Sequence, residues 1–151
     1  MIKLMISVPA YLKKFLVATY GAAYKVDFSD ELGVLILSTL RKKSTHYYEF
    51  KKVANDRAAT YEFCISMSFF DKYGCNITAD DMTLLAKTID RWFRNSLYRS
   101  AVLNEYHFGI AYKDTINRYL QSYDISEDEL NYSTIRRDFN RKKKHIEQTL
   151  L

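Results

Sequence analysis

The chain has 151 residues, 23 basic and 18 acidic, with 48% hydrophobic and 15% aromatic residues. That length suits one domain burying about 68–70% of its unfolded surface, and the apolar fraction excludes wholesale disorder. One proline and four glycines exclude collagen-like repeats and long flexible linkers.

Period two in Ile2, Leu4, Ile6 and Val8 predicts a strand, and Pro9 suits the first turn of a helix running through Tyr11–Leu16 to Gly21. Tyr24, Val26 and Phe28 alternate with Lys25 and Asp27, a short second strand. Ser29 is the expected cap of a second helix, with Asp30 and Glu31 in its first turn and Leu32 to Leu40 as its body. A hairpin is expected next, from His46–Lys52 and Thr60–Phe70. In its second arm Tyr61, Phe63, Ile65, Met67 and Phe69 share one face. Thr78 with Asp81 reads as a capping box opening a long helix from about Ala79 to Glu105. A further helix fits Ala111–Tyr123. Ser126 with Glu129 reads as a second box, from which helix resumes to about Gln148.

The expected fold class is therefore α+β. A small mixed sheet with helices spans residues 1–75, and an all-helical C-terminal subdomain with a helix-turn-helix-like segment spans 76–151, the two forming one compact unit.

No stretch approaches the roughly 18 uncharged apolar residues of a membrane span, so no membrane partner is expected. Met1–Val8 does not read as a signal peptide, and two cysteines, Cys64 and Cys75, cannot build a disulfide framework. These features point to the cytoplasm.

Charge is localised. Residues 131–151 hold six basic residues against two acidic ones, most of the chain's excess of +5. A concentrated basic block is the footprint of a polyanion-binding element, although lysines also favour a helix C-terminus. On a helix through this block, Leu130, Ile135, Phe139 and Ile146 can pack inward. Ser133, Thr134, Arg136, Arg137, Asn140, Arg141 and Lys143 can face outward, and Lys142 and Lys144 add to the charge. Arginine can bind guanine bidentately, asparagine adenine, and lysine or serine the phosphates.

Ser133-Thr134-Ile135-Arg136-Arg137-Asp138-Phe139 resembles the STIRRDL recognition-helix signature of DeoR-type helix-turn-helix regulators. The resemblance implies that Ser133 and Thr134 start the recognition helix, Ile135 packs inward, and Arg136 and Arg137 face DNA. The resulting expectation is a small non-enzymatic regulator of transcription or replication, of bacterial or phage origin. It would bind double-stranded DNA through Ser133, Thr134, Arg136, Arg137, Asn140, Arg141, Lys142, Lys143 and Lys144. Helix-turn-helix binding favours a homodimer on paired half-sites.

The competing class is a structural or interaction protein whose basic end binds an acidic protein partner. A second basic group, Arg41-Lys42-Lys43 with Lys51, Lys52 and Arg57 among His46, Tyr47, Tyr48 and Phe50, could stack single strands, or simply be a helix end and a hairpin. Glu49-Phe50-Lys51 with Asp27 or Asp30 upstream is the further alternative, a Mg²⁺-dependent nuclease of the PD-(D/E)xK type, but no proline-aspartate pair precedes it. His46, His107 and His145 lack metal-ligand spacing, and no phosphate-cradling glycine loop exists, so neither metal nor cofactor is expected.

Overall fold

Alternation in Ile2–Pro9 produces β1, with Ile6 and Val8 buried while Met5 and Ser7 face outward. The computed structural model describes residues 1–42 and 58–151, so the first arm of the expected hairpin, with Glu49, Lys51 and Lys52, lies outside the described residues, as does Arg57 in the connection. Pro9 leads into α1 (Ala10–Tyr20), which buries Tyr11, Leu12, Phe15 and Leu16. β2 (Ala23–Lys25) and β3 (Ala58–Ile65) complete a sheet of order β1-β3-β2. β1 runs antiparallel to β3, with Ile6 opposite Tyr61, and β2 runs parallel to it, with Tyr24 opposite Phe63. With its helices, this mixed sheet makes the protein α+β.

Three local expectations change. β2 ends at Lys25, with one further bond from Val26 N to Cys64 O (2.9 Å), and Phe28 is left 54% exposed rather than in a strand. α2 (Glu31–Thr39) is capped by Asp30, not Ser29: the Asp30 carboxylate accepts from Gly33 N at 2.9 Å, while Ser29 N donates to Asp27 at 2.6 Å. A carboxylate at this position meets the free amides and the positive helix pole together. β3 stops at Ile65 instead of running to Phe70. Ser66 accepts from Phe69 N and opens α3 (Met67–Tyr73), which Gly74 closes at φ 82.

The Thr78 hydroxyl accepts from Asp81 N at 3.0 Å ahead of α4 (Ala79–Phe108). Leu85, Ile89, Phe93 and Leu97 recur every four residues along α4 and are all fully buried. The chain packs as two units, Met1–Ile89 and Asp90–Leu151. In the second, the C-terminal part of α4 is followed by α5 (Tyr112–Ser122) and α6 (Tyr132–Leu150). Phe93, Leu97, Tyr98, Val102, Ile116, Leu120, Ile135 and Phe139 form its core. Phe139 lies 5.4 Å from Tyr98 and 5.0 Å from Tyr112, and Phe93 lies 5.6 Å from Tyr119, so rings join all three helices.

The expected resumption of helix at Ser126 is replaced by a folded connection. Asp124 takes a left-handed conformation (φ 54), with Asp124 N bonding Gln121 O and Ile125 N bonding Leu120 O, a Schellman closure of α5. Glu129 accepts from Ser126 N (2.9 Å) and Oγ (3.2 Å), the reciprocal bond of a capping box, but it closes a single turn that buries Leu130. Asn131 then caps α6 by accepting from Ser133 N at 2.8 Å.

Candidate nucleic-acid interface

α6 has two chemically distinct sides. Ile135 and Phe139 are buried, as their apolar spacing requires, and Asp138, Lys142, Lys143, Ile146 and Glu147 are half-buried around them. Ser133, Thr134, Arg136, Arg137, Asn140, Arg141 and Lys144 are exposed. The first turn of α6 holds Ser133 and Thr134. At 100° per residue, Ser133, Arg137, Asn140, Arg141 and Lys144 share one stripe, and Arg136 lies at its margin. Among the described residues, none of Arg136, Arg137, Arg141 and Lys144 has an ion-pair partner.

Lys142 and Lys143 are placed differently from the other cations. Lys142 Nζ lies 3.0 Å from Asp138 Oδ2 and 5.6 Å from the Tyr98 ring centroid. Lys143 Nζ sits 4.3 Å over the Tyr112 ring and 3.7 Å from Glu147. Tyr112, above all through its hydroxyl, holds the Lys143 ammonium above its usual range. The Tyr112 phenol donates to Glu147 at 3.2 Å and is itself raised, first by burial and then by Glu105. The sequence grouped these lysines with Lys144 as one basic tail. Helical geometry and ring contacts instead turn two of the three toward the packed side.

Asp138 organises that side. The Tyr98 hydroxyl donates to its Oδ2 at 2.6 Å, Lys142 approaches at 3.0 Å and Arg94 Nη1 at 4.0 Å. Arg94 Nε also lies 3.0 Å from both oxygens of Asp90. Burial would raise the Asp138 carboxyl, but the Tyr98 and Lys142 hydrogen bonds, with the Lys142 and Arg94 charges, hold it below the usual range. Sequence reasoning assigned Asp138 no role. Its i,i+4 spacing to Lys142 was the available signal.

Acidic residues sit at the entry to α6. Glu127 accepts from Tyr132 N at 3.1 and 3.2 Å, and Glu129 holds Ser126. Asp124 and Asp128 are exposed. The N-terminal end of α6 is therefore the unfavourable end for an anion, and its positive surface begins at Arg136.

The carboxylates considered for metal-dependent hydrolysis also have local bonds. Asp27 accepts from Ser29 N, and the Ser29 hydrogen bonds hold its carboxyl below the usual range. Asp30 accepts from the Tyr24 hydroxyl at 2.8 Å and from Gly33 N. Glu49 and Lys51 lie outside the described residues. Among the described residues, no three histidine, cysteine or carboxylate side chains converge as metal ligands, and no helix is long and apolar enough to cross a membrane.

No protein-family model, curated protein or solved structure matches the chain.

Proposed function

We propose that the protein binds double-stranded DNA through the exposed stripe of α6 and acts in the cytoplasm as a non-enzymatic regulator of transcription or replication. One observation carries this reading: four cations, Arg136, Arg137, Arg141 and Lys144, stand exposed without ion-pair partners among the described residues, on a helix whose opposite side is fixed by Ile135 and Phe139. Unpaired cations on a rigid helix can neutralise phosphates and release counterions, while Arg137 and Asn140 carry donors suited to base edges. The resemblance of residues 133–139 to a DNA-reading helix supports the same assignment. The acidic entry of α6 shifts the DNA toward its middle and C-terminal half, away from Ser133 and Thr134. Lys142 and Lys143 support the stripe from behind. A homodimer would bring two such helices to paired half-sites.

Binding of random-sequence duplex DNA at two salt concentrations tests the proposal. Affinity should fall steeply with salt. The triple variant Arg137→Ala/Arg141→Ala/Lys144→Ala should flatten the plot of log affinity against log salt by about 0.9 for each phosphate it no longer neutralises. A folded wild-type protein that leaves duplex DNA unbound, or a triple variant with the wild-type slope, would overturn it.

A further inference from the structure

A second group of cations stands on α4. Residues 91–104 contain Arg91, Arg94 and Arg99 and no carboxylate. Arg94 is half-buried between Asp90 and Asp138. Arg91 and Arg99 are exposed, with no ion-pair partner among the described residues, and Asn95 between them is exposed as well.

Side-chain contacts place this group beside α6. Arg94 Nη1 lies 4.0 Å from Asp138 Oδ2, and Lys142 Nζ lies 5.6 Å from the Tyr98 ring centroid. Both pairs have the same spacing in sequence, so α4 and α6 run side by side in one direction, with Arg91 level with Ile135 and Arg99 level with Lys143. On α4, the side toward α5 is marked by Phe93, whose ring lies 5.6 Å from that of Tyr119. Starting from Tyr98, at the contact with α6, Arg91, Asn95 and Arg99 lie about 20°, 60° and 100° around the helix, on the side away from Phe93. On α6, the side toward α5 is marked by Phe139 and Lys143, which meet Tyr112. Arg141 and Arg137 lie about 60° and 100° around from Asp138, again on the side away from α5. The two sets of arginines therefore flank one seam. Asp138 is the only carboxylate in residues 91–104 and 130–146, and Tyr98, Lys142 and Arg94 all engage it.

We propose that Arg91, Asn95 and Arg99 bind the sugar-phosphate backbone of the duplex that α6 engages, so that the DNA interface is a face of two helices. This rests on the reading of α6 as a DNA-binding helix. Charge complementarity favours a polyanion along the whole seam, and width decides which part of the duplex meets α4. Packed helices stand about 8–10 Å apart and are each about 10–12 Å across, whereas a major groove about 12 Å wide admits one helix. With α6 in the groove, α4 lies over its rim, where phosphate and sugar are within reach of its side chains. Arg91 and Arg99 are about 12 Å apart along the helix axis, far enough for each to hold a different phosphate. α4 thus adds affinity and orientation without sequence preference.

The test measures the salt dependence of duplex binding for the wild type, for Arg91→Ala/Arg99→Ala, and for Lys113→Ala/Arg118→Ala. The last pair removes the same charge from exposed positions on α5, and circular dichroism checks that both variants keep the fold. Arg91→Ala/Arg99→Ala should flatten the plot of log affinity against log salt by about 1.8, or 0.9 for each phosphate released, and weaken binding to duplexes of different sequence by a similar factor. The α5 variant should keep nearly the wild-type slope. A wild-type slope in Arg91→Ala/Arg99→Ala, or equal flattening in both variants, would overturn the role of α4 while leaving the reading of α6 intact. A loss confined to one duplex sequence would overturn the assignment to phosphates, because α4 would then be reading bases. Failure of the wild type to bind any duplex would instead remove the reading of α6, and the role of α4 with it.

Discussion

The hydroxyl of Tyr98 donates a 2.6 Å hydrogen bond to Asp138, forty positions along the chain, and so joins α4 to α6. Tyr98 is fully buried and Asp138 half-buried, so the pair lies where water competes weakly for the bond. The bond fixes the rotation of α6 about its axis, and thereby which side of the helix meets solvent.

Tyr98→Phe removes the hydroxyl and keeps the ring. The Asp138 carboxylate would retain Lys142 and Arg94 but lose its shortest donor, at a cost of about 1.5–3 kcal/mol for a hydrogen bond to a charged group. Urea denaturation should show a lower midpoint, and an unchanged midpoint would deny the bond any part in stability. The pH dependence has a definite sign. Because the folded carboxyl is held below its ordinary value, its contribution is complete above pH about 4 and is lost as pH falls through the depressed value. The stability of Asp138→Asn should therefore change less than wild type over that acidic window.

Phe139 is the ring on which the second unit converges, packed against Tyr98 of α4 and Tyr112 of α5 and 2% exposed. Phe139→Ala should cost about 3–5 kcal/mol, the range for deleting a buried phenylalanine. Thermal denaturation followed by circular dichroism should show early melting of helical signal. A melting curve like wild type would mean that the three helices do not depend on this ring.

Gly33 lies within α2, where a Cβ would come 1.8 Å from the Asp27 carbonyl oxygen and 2.7 Å from the Tyr24 hydroxyl. The Tyr24–Asp30 bond and the bend carrying Asp27 occupy that space, so relief requires the backbone to move. Gly33→Ala should destabilise the sheet unit despite alanine's better helix propensity, by about 1–3 kcal/mol or more as overpacking does. Full stability in that variant would show that the approach of α2 to residue 27 relaxes freely.

Much of the fold was legible where one physical signal acted alone. The alternation of β1, the fourfold recurrence of Leu85, Ile89, Phe93 and Leu97, and the inward places of Ile135 and Phe139 follow from period and polarity. Legibility failed where two local signals competed. Met67 and Phe69 continue the alternation of Tyr61, Phe63 and Ile65, so strand and short helix read alike. Ser66 as a cap and Gly74 as a stop decide for helix. Ser126 with Glu129 makes the bonds of a capping box, yet Asn131 caps again five residues later, and helix begins only there. The site divided in the same way. The exposure of Arg136, Arg137, Asn140 and Arg141 follows from helical spacing, whereas the withdrawal of Lys142 and Lys143 depends on Tyr98 and Tyr112, rings more than thirty positions away. No window along the chain contains both partners.

That division of the lysines yields the sharpest prediction. Lys142, Lys143 and Lys144 are adjacent in sequence and carry the same charge, so a simple basic tail would make their substitutions equivalent. Here Lys144 is exposed without an ion-pair partner among the described residues, while Lys142 is held by Asp138 and Lys143 by Tyr112 and Glu147. Lys144→Ala should lower the salt slope of duplex binding by about 0.9 and leave unfolding by urea unchanged. Lys142→Ala should do the reverse, with a modest drop in stability and a nearly unchanged slope, because its charge is already matched within the protein. Measuring both quantities for both variants separates position from net charge. Equal slope changes for the two would show that Lys142 leaves Asp138 to reach the phosphates, and that the two sides of α6 are not distinct in the complex.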